Sequence, residues 1–383
     1  MKLHYEWGVH QINKRGEELC GDSVVVSRQP DSVTVALSDG LGSGVKANIL
    51  ATLTTQIAGH LLDNGLPLGE VVEMLTKTLP VCRVRELAYS TFALAEFFTQ
   101  GSAKVFMFDS PRAVFLRQRK LLPVVCEERT IEGKNIHEYF VDLMVGDWAV
   151  FVSDGVLNAG IGGLYPLGWG WEQTAAFVEA RAHPQLSAQE MADRVADTVT
   201  ELYQGHPGDD VSIVVIKVRQ KQLATLLTGP PVDHSKNEVF VAQFLKRPGK
   251  HAVSGGTTAK IVARRLGQPV EIDLKTMSSE VPAQARIKGL DVVTEGILTL
   301  TTVNELLQSG ADKDTIAFRC DGAANLLRLL LEADAVHFMV GQAVNPAHQN
   351  PELPQQLAIR PTVVREIADE LRKRGKEATI ESV

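Results

Sequence analysis

Three short acidic stretches, each closing an apolar strand-like run, hold the most legible chemistry in the 383-residue chain: Ser38-Asp39-Gly40, Ser153-Asp154-Gly155 and Gly208-Asp209-Asp210. A fourth acidic position, Gly21-Asp22, precedes them. Carboxylates are hard oxygen donors, so a shared Mg²⁺ or Mn²⁺ site is the expected common cause. Two divalent cations close together need several carboxylates, at least one of them bridging, with water in the remaining positions. A sheet holds an Asp at a strand end rigidly, and a following glycine, lacking Cβ, lets its own carbonyl turn toward a metal. Asp39-Gly40 and Asp154-Gly155 both fit. Each Asp-Gly alone also reads as an ordinary turn; the metal reading rests on several such motifs together.

The elements that must position these residues are strands and helices in mixed order. Residues 33–37 read as a buried strand, 45–62 as a helix ended by Asp63-Asn64-Gly65, and 68–79 as a second helix. Strands are expected at 90–98, 103–108 and 113–118, the last two joined as a hairpin by Asp109-Ser110-Pro111. Residues 147–152 form the strand that runs into Asp154. A helix over 188–203 opens on Ser187-Ala188-Gln189-Glu190, in which serine and glutamate satisfy each other's backbone N–H groups. His206-Pro207-Gly208 breaks the chain before 211–218, a β-branched run too apolar for an exposed edge.

At Gly229-Pro230-Pro231 the pattern stops, because this sequence can neither continue a helix nor donate fully to a sheet. The length favours two domains, and the expected division is 1–218, a linker at 219–236, and a smaller α/β domain at 237–383. Helices are expected there at 257–266, 323–332 and 361–374, with apolar strand-like runs at 291–293 and 335–340.

Apolar residues make up 44% of the chain and charged residues 22%, as in ordinary folded proteins. A net charge of −7 without a basic tract argues against a nucleic-acid partner. Cys20, Cys82, Cys126 and Cys320 are isolated, with no zinc spacing, which fits a reduced compartment. The first residues lack a signal-peptide pattern and no apolar run is long enough to cross a bilayer, so no membrane partner is expected and the cytoplasm is the expected location.

The motifs also resemble a family. Gly21-Asp22, then Leu37-Ser38-Asp39-Gly40-Leu41-Gly42-Ser43-Gly44 leading into a helix, then Val152-Ser153-Asp154-Gly155-Val156, then Gly208-Asp209-Asp210-Val211-Ser212-Ile213-Val214-Val215 resemble the ordered motifs of the metal-dependent PPM (2C-type) serine/threonine phosphatases. Within that family the SpoIIE-like bacterial branch is nearest. The resemblance implies an α+β fold, an α-β-β-α sandwich of two mostly antiparallel sheets flanked by helices. It implies that Asp39 bridges two Mg or Mn ions, that Asp22 and the Gly40 carbonyl serve one, and that Asp154 and Asp209 hold the other, with Asp210 in support. The implied reaction is hydrolysis of phosphoserine or phosphothreonine by a metal-bridging water, without a phosphoenzyme and without an essential cysteine. The implied partner is a phosphorylated protein in bacterial signalling, an anti-sigma-factor antagonist by default.

Departures from the eukaryotic pattern are visible. Leu41 follows Gly40 where many relatives have a histidine nearby as general acid, and Gly21-Asp22 replaces a Glu-Asp pair. His206 reads as a solvated loop residue, and Lys14 and Arg15 are the candidates for a phosphate-binding cation. In SpoIIE-like relatives, the region matching 45–62 is implicated in switching metal competence.

In the C-terminal part, Ser254-Gly255-Gly256-Thr257-Thr258 lies between a strand and a helix. Gly255, Gly256, Thr257 and Thr258 read first as a plain turn with a threonine cap and otherwise as a candidate anion site. Loops at Thr294-Glu295-Gly296 and 345–351 would share its edge in a parallel sheet. Two rival functions remain at this level: a phosphatase-like scaffold without turnover, against which the intact Asp set argues, and a nucleotide enzyme, for which Gly40-Leu41-Gly42-Ser43-Gly44 is weak support because it lacks Rossmann or Walker spacing.

Overall fold

The computed structural model describes residues 2–78, 81–82, 87–88, 90–279, 281–343 and 359–383. Two units divide at Gln220/Lys221. In the first, β-branched and aromatic runs form β1 (Leu3–Ile12), β2 (Asp22–Arg28) and β3 (Ser32–Asp39), followed by helices α1 (Gly44–Asp63) and α2 (Leu68–Thr78). Then come β4 (Val81–Cys82), β5 (Leu87–Ala88), β6 (Phe92–Phe98), β7 (Ser102–Phe108), β8 (Val114–Arg117), β9 (Lys120–Leu121), β10 (Cys126–Ile131), β11 (Lys134–Asp142) and β12 (Trp148–Val152). Helices α3 (Asp154–Leu157), α4 (Gly170–Arg181) and α5 (Ala188–Leu202) lead to β13 (Val211–Gln220).

Two antiparallel sheets result, with orders β1-β13-β12-β8-β9 and β10-β11-β7-β6-β3-β2. Side chains alternate across each strand. Tyr5, Val35, Phe97, Phe151 and Val214 meet between the sheets, with Phe97 and Phe115 each edge-on to Phe151 at centroid distances of 6.2 and 6.3 Å. The outward residues of the same strands pack under helices. Ala36, Leu94 and Phe106 lie against Ala58 and Leu62 of α1 and Val71 and Leu75 of α2. Val150, Ile213 and Val215 lie against Met191, Val195 and Val199 of α5. Burial on both faces explains why β3, β12 and β13 read as continuous apolar runs. The unit is the expected α-β-β-α sandwich.

The Ser187 capping box forms: its hydroxyl accepts from Glu190 N at 3.1 Å and Glu190 Oε2 accepts from Ser187 N at 2.7 Å. Such a cap contributes about 1 kcal/mol.

The expected hairpin at Asp109-Ser110-Pro111 does not form. β7 belongs to the six-stranded sheet and β8 to the five-stranded one, so this turn carries the chain between layers, and β7 pairs instead with β6. Met107 and Phe115 both enter the core between the sheets. A turn sequence specifies a reversal of direction, but not whether the next strand pairs beside the last or crosses over it.

The second unit contains β14 (Leu223–Thr228), α6 (Asn237–Lys246), β15 (Lys250–Ser254), α7 (Gly256–Leu266), β16 (Glu271–Asp273), β17 (Gln284–Arg286), β18 (Val292–Thr294), α8 (Ile297–Gln308), α9 (Gly322–Glu332), β19 (Ala335–Val340), α10 (Ile359–Lys373) and β20 (Glu377–Ser382). Its sheet order is β16-β17-β18-β15-β14-β19-β20. The strands from β18 to β20 are parallel, a doubly wound order that reverses between β14 and β19. Helices α6 and α7 cover one face and α8, α9 and α10 the other.

The expected 219–236 linker is therefore corrected. Residues 223–228 form the central strand, paired on both sides with β15 and β19, and the second unit starts at Lys221. Gly229-Pro230-Pro231 ends this strand; it does not separate domains. The threonine cap is corrected too: Gly255, at φ 123°, is the N-cap of α7, and no side chain caps it. The loop at 345–351 lies outside the described residues.

Candidate active site

Register alone brings the first two acids together, because Asp22 of β2 lies directly opposite Asp39 of β3. The other sheet supplies the rest. Val152 pairs with Ile213, so Asp154, just beyond β12, and Asp209-Asp210, just before β13, emerge at one sheet end. The hydroxyls of Ser153 and Ser212, from the other sheet, face the Asp22 carboxyl and favour its charged form. Those serines are fixed in turn, since Ser153 Oγ accepts from Ser212 N at 2.8 Å and Gln11 Nε2 donates to Ser212 Oγ at 2.8 Å.

Backbone packing closes the arrangement. A Cβ on Gly155 would lie 2.0 Å from the Asp210 carbonyl oxygen, and one on Gly40 would lie 2.1 Å from the Ala47 carbonyl oxygen. A Cβ on Gly21 would lie 2.7 Å from Asp210 Oδ2. These glycines are needed for close approach. Around Asp39, Thr91 Oγ1 accepts from Asp39 N at 3.3 Å while Thr91 N donates to Asp39 O at 2.9 Å. The Ser38 hydroxyl pairs with that of Ser90.

The carboxylates form a gradient from interior to surface. Asp22 and Asp210 are buried, Asp39 and Asp209 are half-buried and Asp154 is exposed. Burial, then the charges of Asp22, Asp154 and Asp209, pushes the Asp39 carboxyl far above the usual carboxylate range, with Asp154 close enough to share its proton. Asp22 is raised by burial and by Asp210 and Asp154, against the lowering influence of the Ser153 and Ser212 hydroxyls. Burial and Asp154 raise Asp209. Burial with Asp22 nearby also pushes the Cys20 thiol up to about 12, so it is no nucleophile at neutral pH.

This crowding asks for positive charge. Lys14 Nζ stands 4.0 Å from Asp209 Oδ1, and Lys14 N donates to Asp210 Oδ1 at 2.9 Å. Asp22 Oδ2 and Asp210 Oδ2 are buried without a partner among the described residues. Hard, partly unsatisfied oxygens at a surface-reaching cluster fit a divalent cation. They do not form a closed cage: among the described residues no three His, Cys, Asp or Glu side chains form a group that would hold an ion by themselves. Water and backbone oxygen must complete any coordination.

Every acid singled out in the sequence thus reaches this end of the unit, the buried Asp210 included. Of the two cation candidates, Lys14 is at the cluster, while Arg15 is exposed. His206 is exposed and lines a groove of about 540 Å³ with Asp209, Tyr203 and Ile161. Thr91, Ser90, Ser153, Ser212 and Gln11 were not legible as site residues, because strand register alone brings them in.

Residues 29–219 match the sequence model of Stage II sporulation protein E (SpoIIE). This part of the chain belongs to the SpoIIE family. Stage II sporulation protein E of Priestia megaterium is 23% identical over 222 residues, covering 55% of this chain and 36% of that protein. Phosphoserine phosphatase RsbX of Bacillus subtilis (strain 168) is 42% identical over 45 residues, 12% of this chain and 23% of that protein; a structure of RsbX in complex with magnesium covers 56% of this chain and 96% of that one, at 14% identity and a TM-score of 0.41. The solved PP2C phosphatase domain of Bacillus subtilis SpoIIE, with a fragment of its regulatory domain, covers 57% of this chain and 64% of that chain, at 20% identity and a TM-score of 0.48. The chain therefore spans about a third of the sporulation protein it matches. The family match ends at the last residues of β13, and the acid cluster of the SpoIIE-family unit lies almost wholly inside it, with Asp22 and Lys14 just upstream.

Proposed function

We propose that the first unit is a Mg²⁺- or Mn²⁺-dependent phosphoprotein phosphatase acting on phosphoserine or phosphothreonine in bacterial signalling. One observation carries the reading: five carboxylates from two sheets crowd at one surface-reaching point, with the proton affinities of Asp22, Asp39 and Asp209 raised and two buried oxygens without a partner among the described residues. Asp39 stands between the two halves of the cluster and would serve both of two ions. Asp22 and the Gly40 carbonyl would serve one, Asp154 and Asp209 the other, and Asp210 would fix the Lys14 backbone. When bound, such ions lower the pKa of a coordinated water and neutralise charge on phosphoryl oxygens.

The chain's own groups do the rest. Lys14, on the solvent side of Asp209, attracts and orients a phosphoryl oxygen. Thr91 holds the Asp39 backbone and Ser38 bonds the Thr91 carbonyl in turn, so the carboxylate keeps its place during turnover. The groove beside Asp209 leaves room for the polypeptide flanking the phosphorylated residue. Leu41 offers no proton, so the departing hydroxyl takes its proton from water. A phosphorylated protein of the anti-sigma-factor antagonist kind is the proposed substrate. Among the described residues no helix is long and apolar enough to cross a membrane, and Cys20, Cys126 and Cys320 are free, which supports action in the cytoplasm.

The test is phosphate release from a phosphoserine protein and from p-nitrophenyl phosphate with Mn²⁺, Mg²⁺ or chelator. Release that stops on chelation supports the reading. Release indifferent to chelator contradicts it, and metal binding without turnover on any phosphoprotein would make the unit a scaffold.

A further inference from the structure

The second unit leaves a distinct set of groups unsatisfied. Thr228, Ser254 and Thr294 end three neighbouring parallel strands in register, Thr228 opposite Ser254 and Ser254 opposite Thr294. All three are buried. By strand alternation they share a face with Leu226 and Ala252, the face covered by α8, α9 and α10. Ser254 Oγ donates to the Glu295 carbonyl at 2.8 Å, and Thr294 Oγ1 donates to the same oxygen at 3.0 Å. Thr228 Oγ1, fully buried beside them, has no partner among the described residues.

Helix α8 begins at this row. Its N-cap is Gly296, with no capping side chain and no acid in the first turn. A Cβ on Gly296 would lie 3.6 Å from the Gly255 Cα, so the equally uncapped start of α7 adjoins it. Thr299, in that first turn, is fully buried and its hydroxyl is also without a partner. Elsewhere in the protein, Thr54, Thr76, Thr174, Thr200 and Thr302 each donate to the carbonyl four residues back. For Thr299 that acceptor is the Glu295 carbonyl, already taken by Ser254 and Thr294. Helical side chains lean toward the N-terminus, so Thr299 Oγ1 leans back toward the opening turn of α8.

Two charged groups complete the edge. Glu295 Oε2 is buried without a partner. Arg360, in the first turn of α10, is largely withdrawn from water; Nη1 bonds the carbonyl oxygens of Gly341 and Ala343 at 3.2 and 3.4 Å, and it would lie 2.4 Å from a Cβ on Gly229, the residue after Thr228.

We infer that this carboxyl edge binds a phosphorylated sugar, free or as the ribose phosphate of a nucleotide. Arg360 and the open start of α8 supply positive charge for the phosphate. Thr228 and Thr299 supply hydroxyls that donate to it. Glu295, an acceptor and not a donor, takes a sugar hydroxyl. An inorganic anion alone would leave Glu295 unpaired and repelled. Ligands of doubly wound sheets bind at this edge. Thr228, Glu295 and Thr299, from two separate stretches of chain, are left without partners among the described residues here together, and that separates a site from an uncapped helix end.

The experiment is calorimetric titration of the full chain, with chelator present so that the acid cluster of the first unit contributes no metal-dependent binding. Ribose 5-phosphate, AMP and inorganic phosphate are the probes, tested on wild type, Thr228→Val, Glu295→Gln and Arg360→Met. Ribose 5-phosphate or AMP should bind, the tighter of the two identifying the source of the sugar phosphate. Thr228→Val and Glu295→Gln should each weaken that probe by about tenfold. Thr228→Val exchanges one buried group for another of the same shape and keeps the test valid if Arg360→Met fails to fold. Failure of all three probes at millimolar concentration, binding of inorganic phosphate alone, or sugar-phosphate binding unchanged by Thr228→Val and Glu295→Gln overturns the inference.

Discussion

Both units gather polar groups at strand ends, but with opposite electrostatic character. The first brings five carboxylates together with Lys14 at 4.0 Å from one of them. The second brings hydroxyls, two uncapped helix starts and a half-buried guanidinium together with a single carboxylate. Their topology differs as well. Antiparallel pairs from two sheets place like charges opposite one another, whereas parallel strands point all their carboxyl ends, and the helix starts that follow, to one edge. The sign of a site's expected ligand thus follows from which ends of which strands the fold collects: cations at the first, anions at the second.

The largest break in this contrast should come from Gly155→Ala. Its Cβ would meet the Asp210 carbonyl oxygen at 2.0 Å, so Asp154 and the Asp209-Asp210 pair must move apart. A loss of about 2–4 kcal/mol is expected from overpacking against backbone, with phosphatase activity lost; denaturant unfolding and phosphate release check this. Metal should stabilise only the first unit. Mn²⁺ at about a hundred times its dissociation constant is expected to add about 2.7 kcal/mol, and Asp39→Asn should abolish that gain in thermal unfolding.

The pH response separates the units next. Asp22, Asp39 and Asp209 have proton affinities raised by burial and by one another. Their contribution to metal-free stability is therefore fully present below the usual carboxylate pKa and is lost as pH rises through the raised values. Chelated protein should become less stable from mildly acid to alkaline pH, and Mn²⁺ should flatten that slope. A metal-free first unit that gains stability over this range would contradict the account. The smallest effect is expected at Thr228→Val without ligand. Removing a hydroxyl that has no partner should change unfolding stability by less than about 0.5 kcal/mol, and a larger loss would mean that the hydroxyl is already used within the fold.

The acids were legible because each lies in a local signature, an apolar run ending in Ser-Asp-Gly or Gly-Asp-Asp, and local signatures survive in sequence. Their supports were not. Thr91 meets Asp39, and Ser212 meets Ser153, through register between strands far apart in the chain. The strand β1 escaped notice because His4, Glu6, His10 and Gln11 interrupt its apolar positions, and only pairing along its length with β13 reveals it. Domain division failed at β14 for a related reason. Gly229-Pro230-Pro231 marks the end of an element equally well in a linker and in a central strand, and the deciding fact is the parallel partners on both sides. Likewise Thr228 and Thr299 look like ordinary residues until their missing partners are seen.

The central claim is that the acid cluster is a divalent-metal centre for phosphoester hydrolysis. Its most direct test is the rate of phosphate release from a phosphoserine protein as Mn²⁺ is titrated into wild type and Asp39→Asn. The account predicts saturable activation of the wild type and a fall of at least about a hundredfold in the variant at every Mn²⁺ concentration. Equal rates in the two proteins, or a wild-type rate unchanged by chelator, would contradict it.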